Sequence, residues 1–305
     1  MLSLGPAIGI AITGATVGTL IIRFLRAPRE RPFPAHGWFG IVALGGAEWL
    51  LFRGLEPVPT YFTPIAWSAY ILITDAAVFA LTGRSRLRDA PITMAQMALL
   101  SIPLWLIFEA YNRRLHNWTY VGVPQRWPGE ILGYGWSFAT ITPAIFETSD
   151  LAEALLPPIP IAPWKISYGA ESALMICGSA SLILPLVVPQ AVAARLFFLV
   201  WIGFVLLLDP VNRWLSLPSF LGDFSQGVAR RFWGFLLAGW ICGWLWEFWN
   251  YRAAAKWHYA FPMFQNLKIF EMPAPGYLGF VPFALECFTM YVTAAWLAGW
   301  LKRVK

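Results

Sequence analysis

The sequence predicts an all-α, polytopic integral-membrane helical bundle. About nine transmembrane helices are expected, with eight as the rival count, as two parallel four-helix repeats behind an extra N-terminal helix. Three observations predict it. Of 305 residues, 58% are hydrophobic and only 12% charged, against about 25% charged in an ordinary soluble domain. Apolar stretches close to the roughly 20 residues that cross a bilayer recur along the whole chain. A constellation of motifs also occurs twice. Glu109-x-x-Asn112, Trp118-x-Tyr120, Pro124 and Pro143-x-x-x-Glu147 return as Glu247-x-x-Asn250, Trp257-x-Tyr259, Pro262 and Pro282-x-x-x-Glu286. The spacing is 138 residues at the first Glu and 139 at the last, as a tandem repeat requires.

The apolar spans fall at 4–25, 37–53, 62–82, 93–111, 131–150, 167–188, 195–209, 231–250 and 273–300. The first has no basic segment ahead of it and exceeds a signal-peptide core, so a retained helix is expected. The seventh is short and is expected to end at Asp209-Pro210. The ninth carries Pro273, Pro275, Gly276 and Pro282, so its regular helix is expected from about Phe280. A shift of about 138 maps spans two to five onto six to nine. The divisions are residues 1–30 (the extra helix), 31–165 (repeat A) and 166–305 (repeat B). The shift covers four crossings, so both copies have the same orientation. Their axis would then run along the membrane normal and bring the twin motifs to one depth.

Eighteen Trp and ten Tyr suit aromatic belts at two membrane interfaces. Basic residues number 14 on one side of this topology and 8 on the other. The bias predicts the N-terminus outside, the C-terminus inside and, with no targeting segment, a bacterial inner membrane. No basic stripe points to nucleic acid. The expected partners are membrane lipid or an apolar isoprenoid, with a homo-oligomer or a larger membrane complex open.

Cys177, Cys242 and Cys287 lie in apolar spans without a Cys-x-x-Cys, which predicts neither disulfide nor zinc. His36, His116 and His258 lie outside the spans, against haem ligation. Aspartate-rich, Gly-x-Ser-x-Gly, Walker-A and His-Glu-x-x-His motifs are missing from the sequence. No metal and no cofactor are therefore expected.

Chemistry is expected at the buried acids, because ionisable residues inside a membrane span default to function. Glu247 and Asn250 share one helix face, among Trp244, Trp246, Phe248 and Trp249; Glu109 and Asn112 repeat the pair beside Trp105, Phe108 and Tyr111. A carboxyl against aromatic walls suits a general acid, oriented by the neighbouring amide. The alternative is a hydrogen bond across the bundle with no chemistry. Glu147 and Glu286 follow Pro143 and Pro282 by one turn. Each is either a second carboxyl on the same pocket, closed by Phe146, Phe283 and Phe288, or a partner for a proline-freed carbonyl. Trp118, Tyr120, Trp257 and Tyr259 read either as interface anchors or as a wall able to stabilise a cation. The candidate catalytic residues are Glu247, Glu109, Glu286 and Glu147. The candidate substrate-binding residues are Asn112, Asn250, Trp118, Tyr120, Trp246, Trp257, Tyr259 and Phe283. Glu48 and Asp75 have no evident twin and are expected to hold the bundle together.

Gly276-Tyr-Leu-Gly279-Phe-Val-Pro282-Phe-Ala-Leu-Glu286, preceded by Trp257-His-Tyr259, resembles the small integral-membrane lycopene cyclases. Those have two related halves, each with a Trp-x-Tyr stretch and a Leu-Gly-Tyr-x-Pro-x-Glu-Glu-like segment opening a Phe-rich helix. Here a single acid stands four residues past the proline, where that family has adjacent acids two and three past it. Trp246-Glu247-Phe248 is similar to the Trp-Glu-Phe of fungal membrane terpenoid cyclases, which implies Glu247 as proton donor. The resemblance covers about 50 residues in each half. It implies acid–base cyclisation or isomerisation of a long apolar terpenoid. The alternative is a protein that binds lipid or quinone, a proton-coupled carrier, or a subunit of a complex.

Overall fold

The computed structural model describes residues 4–301 as a helical bundle with two small antiparallel sheets. Lys302, Arg303 and Lys305, which weigh in the orientation count, lie outside the described residues. In chain order the helices are α1 (Leu4–Arg26), α2 (Ala35–Phe52), α3 (Phe62–Thr82), α4 (Arg86–Asp89), α5 (Pro91–Leu115) and α6 (Gly129–Leu155). There follow α7 (Tyr168–Val187), α8 (Gln190–Ala193), α9 (Phe197–Trp214), α10 (Phe220–Ser225), α11 (Arg230–Arg252) and α12 (Tyr277–Leu297). Strands β1 (Trp118–Val121) and β2 (Lys256–Tyr259) form one sheet; β3 (Lys268–Ile269) and β4 (Met272–Pro273) form the other.

Six helices, α1, α3, α5, α7, α9 and α12, are long and apolar enough to cross a membrane. The other three long helices carry much of the polar inventory. Glu130, Glu147, Asp150 and Glu153 lie on α6; Arg230, Arg231, Glu247, Asn250 and Arg252 lie on α11; His36 and Glu48 lie on α2.

Helix ends follow local chemistry. Ser85, Ser167 and Ser219 cap α4, α7 and α10 by accepting from the backbone N–H of Arg88, Ala170 and Gly222. Pro91 opens α5, where its missing N–H has no helical partner to lose. The expected stop at Asp209-Pro210 is corrected: α9 continues through Pro210 to Trp214. Proline removes one N–H without halting the chain, and Asp209 accepts from Phe220 and Leu221 N–H instead, both at 2.8 Å. The last helix begins three residues before the expected Phe280, after a 3-10 turn at Ala274–Gly276.

The same packing order occurs in both halves of the chain. α2 lies on α3, α3 on α6 and α5 on α6, as α7 lies on α9, α9 on α12 and α11 on α12. Across the middle, α6 packs on α11 and α12 on α5. β1 and β2, one from each half, pair with Trp118 opposite Tyr259 and Tyr120 opposite Trp257. α1 stands outside this arrangement, against α11 and β3. One aromatic cluster, Phe146, Phe220, Phe235 and Phe288, lies between the C-terminal half of α6, α10, α11 and α12.

Asp75 does have a twin, against expectation. Its Oδ1 accepts from the Leu87 N–H at 2.9 Å, twelve residues on, as Asp209 Oδ2 accepts from Leu221, also twelve residues on. Asp75, Ser85, Leu87 and Asp89 match Asp209, Ser219, Leu221 and Asp223 at a shift of 134. The shorter shift hid the match from a search at 138. Glu48 acts as expected of a bundle residue, accepting from Trp249 Nε1 at 3.2 Å and pairing with Arg252 at 2.5 Å.

Candidate active site

The Glu-x-x-Asn and Trp-x-Tyr motifs form one local unit, built twice. Asn250 accepts from the Trp257 N–H and donates to the Trp257 carbonyl, both at 2.9 Å. Asn112 does the same to Trp118, at 3.1 and 2.9 Å, and also accepts from the Asn117 N–H at 2.8 Å. Each amide thus fastens the strand after its helix in one register. Side chains alternate along a strand, so Trp257 and Tyr259 share a face, as do Trp118 and Tyr120. That face turns to the acids. Glu247 Oε1 accepts from Tyr259 OH at 2.8 Å and Trp257 Nε1 at 3.3 Å. Glu109 Oε1 accepts from Tyr120 OH at 2.5 Å, Trp105 Nε1 at 2.8 Å and Trp118 Nε1 at 3.2 Å. His258, on the opposite face of β2, meets Glu271 at 2.7 Å, and Lys256 Nζ reaches the other Glu271 oxygen at 3.0 Å.

The four motif aromatics line a chamber between the two halves, with about 110 Å³ open to a water-sized molecule. Equivalent positions of both halves face it: Trp118 and Trp257, Tyr120 and Tyr259, Trp67 and Trp201, Phe108 and Trp246, Ile141 and Phe280. Phe283 also lines it. Its rim holds Thr60, Tyr61, Pro124 and Lys256, from the loops at one end of the bundle and the start of β2. Trp201 reaches the wall because residue 279 is glycine: a Cβ there would sit 1.4 Å from the indole ring. Burial, and then the neighbouring carboxylate, hold the hydroxyls of Tyr120 and Tyr259 well above the ordinary tyrosine range. They therefore remain neutral donors.

Of the predicted residues, Trp118, Tyr120, Trp246, Trp257, Tyr259 and Phe283 line the chamber. Glu109 and Glu247 stand one layer behind it, reaching the interior through the tyrosine hydroxyls. Asn112 and Asn250 are corrected as substrate-binding residues: neither lines the chamber, and both amides are occupied by strand backbone. Glu147 and Glu286 are corrected as pocket carboxyls. They are fully buried, off the chamber, and neither has a hydrogen-bond partner among the described residues.

Sequence reasoning missed Trp67 and Trp201 in the wall. Each stands eight residues before the aspartates Asp75 and Asp209, so the 134-residue shift would have found both. No group of three or more His, Cys, Asp or Glu suited to a metal occurs among the described residues. Comparison with protein-family models, curated proteins and solved structures finds no match.

Proposed function

We propose that the chain is an integral-membrane enzyme that cyclises or isomerises a long apolar isoprenoid, such as a carotenoid, by acid–base chemistry. The observation that carries the reading is an aromatic-lined chamber with a Glu–Tyr–Trp constellation from each half behind its wall. An apolar chain enters from the lipid, and the rings exclude water from it. The Glu247–Tyr259 pair delivers a proton to a terminal double bond. The resulting cation is attacked by a neighbouring double bond and stabilised by the indole and phenol faces. Loss of a proton from the adjacent carbon to the Glu109–Tyr120 pair restores neutrality, so the product is an isomer of the substrate. The lycopene cyclase resemblance supports the same substrate class.

The finer architecture belongs to the same reading. All nine long helices cross the membrane, and the halves are tandem copies about an axis along the membrane normal. The recurrent packing order and the cross-paired strands support this. The membrane is a bacterial inner membrane, with the N-terminus outside and the C-terminus inside.

The test is expression in cells that accumulate a linear carotenoid, with cyclised product read by chromatography and mass spectrometry. Glu247→Gln keeps an acceptor for Trp257 and Tyr259 and is expected to fold, yet to lose product by about 100-fold or more. Full product from this variant would remove Glu247 from the mechanism. A second reading, a lipid or quinone binder or proton-coupled carrier, is favoured by the unpartnered Glu147 and Glu286. It predicts an unchanged ligand and movement that follows a proton gradient.

A further inference from the structure

We propose that Phe283 is the floor of the chamber and sets the length of chain that it accepts. The proposal rests on the reading of the chamber as a site for an apolar chain. The Phe283 ring is 5% exposed and stands edge-on to Trp105, Phe108 and Trp246, with centroids at 5.9, 5.6 and 6.0 Å. Those four rings close the inner end. Beyond them lies a second void of about 10 Å³ that shares Trp105, Phe108, Ile141 and Phe283 with the chamber. Its far side is Ser101, Cys287 and Met290. Phe283 is thus one of four side chains between the two spaces, and the one that α12 contributes to both.

The duplication supplies an internal comparison. Phe283 follows Pro282 as Ala144 follows Pro143, 139 residues earlier. Ala144 is 2% exposed, in the same kind of helix at the same offset from its proline. Alanine therefore suits this helix position, and Phe283→Ala places in the second half the residue that the first half already carries. The substitution joins chamber and void along the face of α12, one turn above Cys287. A chain that stops at the ring in the wild type then extends past it.

Cys287 is 6% exposed and reports the opening without any substrate. The experiment treats the purified protein and Phe283→Ala with an apolar maleimide and reads labelling by peptide mass spectrometry. The exposed Cys177 serves as the internal standard. In parallel, tryptophan quenching gives affinities for geraniol, farnesol, geranylgeraniol and longer isoprenoid alcohols. Labelling of Cys287 is expected to rise at least about tenfold in the variant. The preferred chain is expected to lengthen by about one isoprene unit, with affinity for the longer chain up at least about tenfold. Phe283→Leu, a smaller change, is expected to fall between.

Unchanged Cys287 labelling in a folded variant would overturn the floor. Raised labelling with an unchanged length preference would overturn the ruler. If neither protein binds any chain, the reading of the chamber fails, and the proposal fails with it. The labelling arm then still reports whether Phe283 divides the two spaces.

Discussion

Asn250→Ala tests whether the amide clamps are what hold the chamber together. Asn250 is wholly buried and satisfies both backbone groups of Trp257. Truncation leaves an N–H and a C=O without partners at the start of the strand that carries Trp257 and Tyr259. An orphaned buried group costs about 1–3 kcal/mol, so the pair costs about 2–6 kcal/mol. In a chain of this size that lowers the melting temperature by about 3–10 °C. Asn250→Asp keeps the acceptor and loses the donor, and is expected to lose about half as much. The assay is thermal unfolding in detergent, with quenching by a bound isoprenoid alcohol as the second readout. Loss of strand register releases Tyr259 from Glu247, so quenching weakens together with stability. A melting shift below about 1 °C with unchanged quenching would refute the clamp.

The remaining predictions concern the chamber wall. Gly279→Ala forces the Trp201 ring out of its place, and is expected to lower stability by about 1–3 kcal/mol and to weaken chain binding; unchanged tryptophan emission and binding would count against this packing. Tyr120 and Tyr259 are held neutral above the ordinary range. Tyrosinate absorbance is therefore expected to follow the same curve up to about pH 11 in the wild type and in Tyr259→Phe, and a step missing from the variant near pH 10 would show Tyr259 ionising normally.

Helix positions were legible in the sequence because apolar length is a direct consequence of bilayer thickness. All nine expected spans coincide with long helices, although three of them are too polar to be counted as crossings by composition. Pro210 misled because a proline weakens a helix without always ending it. The double motif located the chamber, since a repeated Glu-x-x-Asn and Trp-x-Tyr must serve one repeated geometry. Its internal order was not legible. Residue spacing puts Glu and Asn on one face, but it does not say that the amide turns to backbone while the acid turns to Tyr and Trp. The pairing of β1 with β2 joins segments 139 residues apart, and no local pattern carries that. Glu147 and Glu286 looked like pocket residues because polarity in a span marks importance; only packing tells which interior a side chain enters.

The most direct measurement of the central claim uses solvent deuterium. Purified protein in lipid vesicles is incubated with a linear carotenoid in heavy water, and the recovered pigment is examined by mass spectrometry. Protonation followed by proton loss predicts a cyclised product that carries one deuterium per ring formed, at otherwise unchanged composition. Pigment recovered linear and free of deuterium would contradict the account.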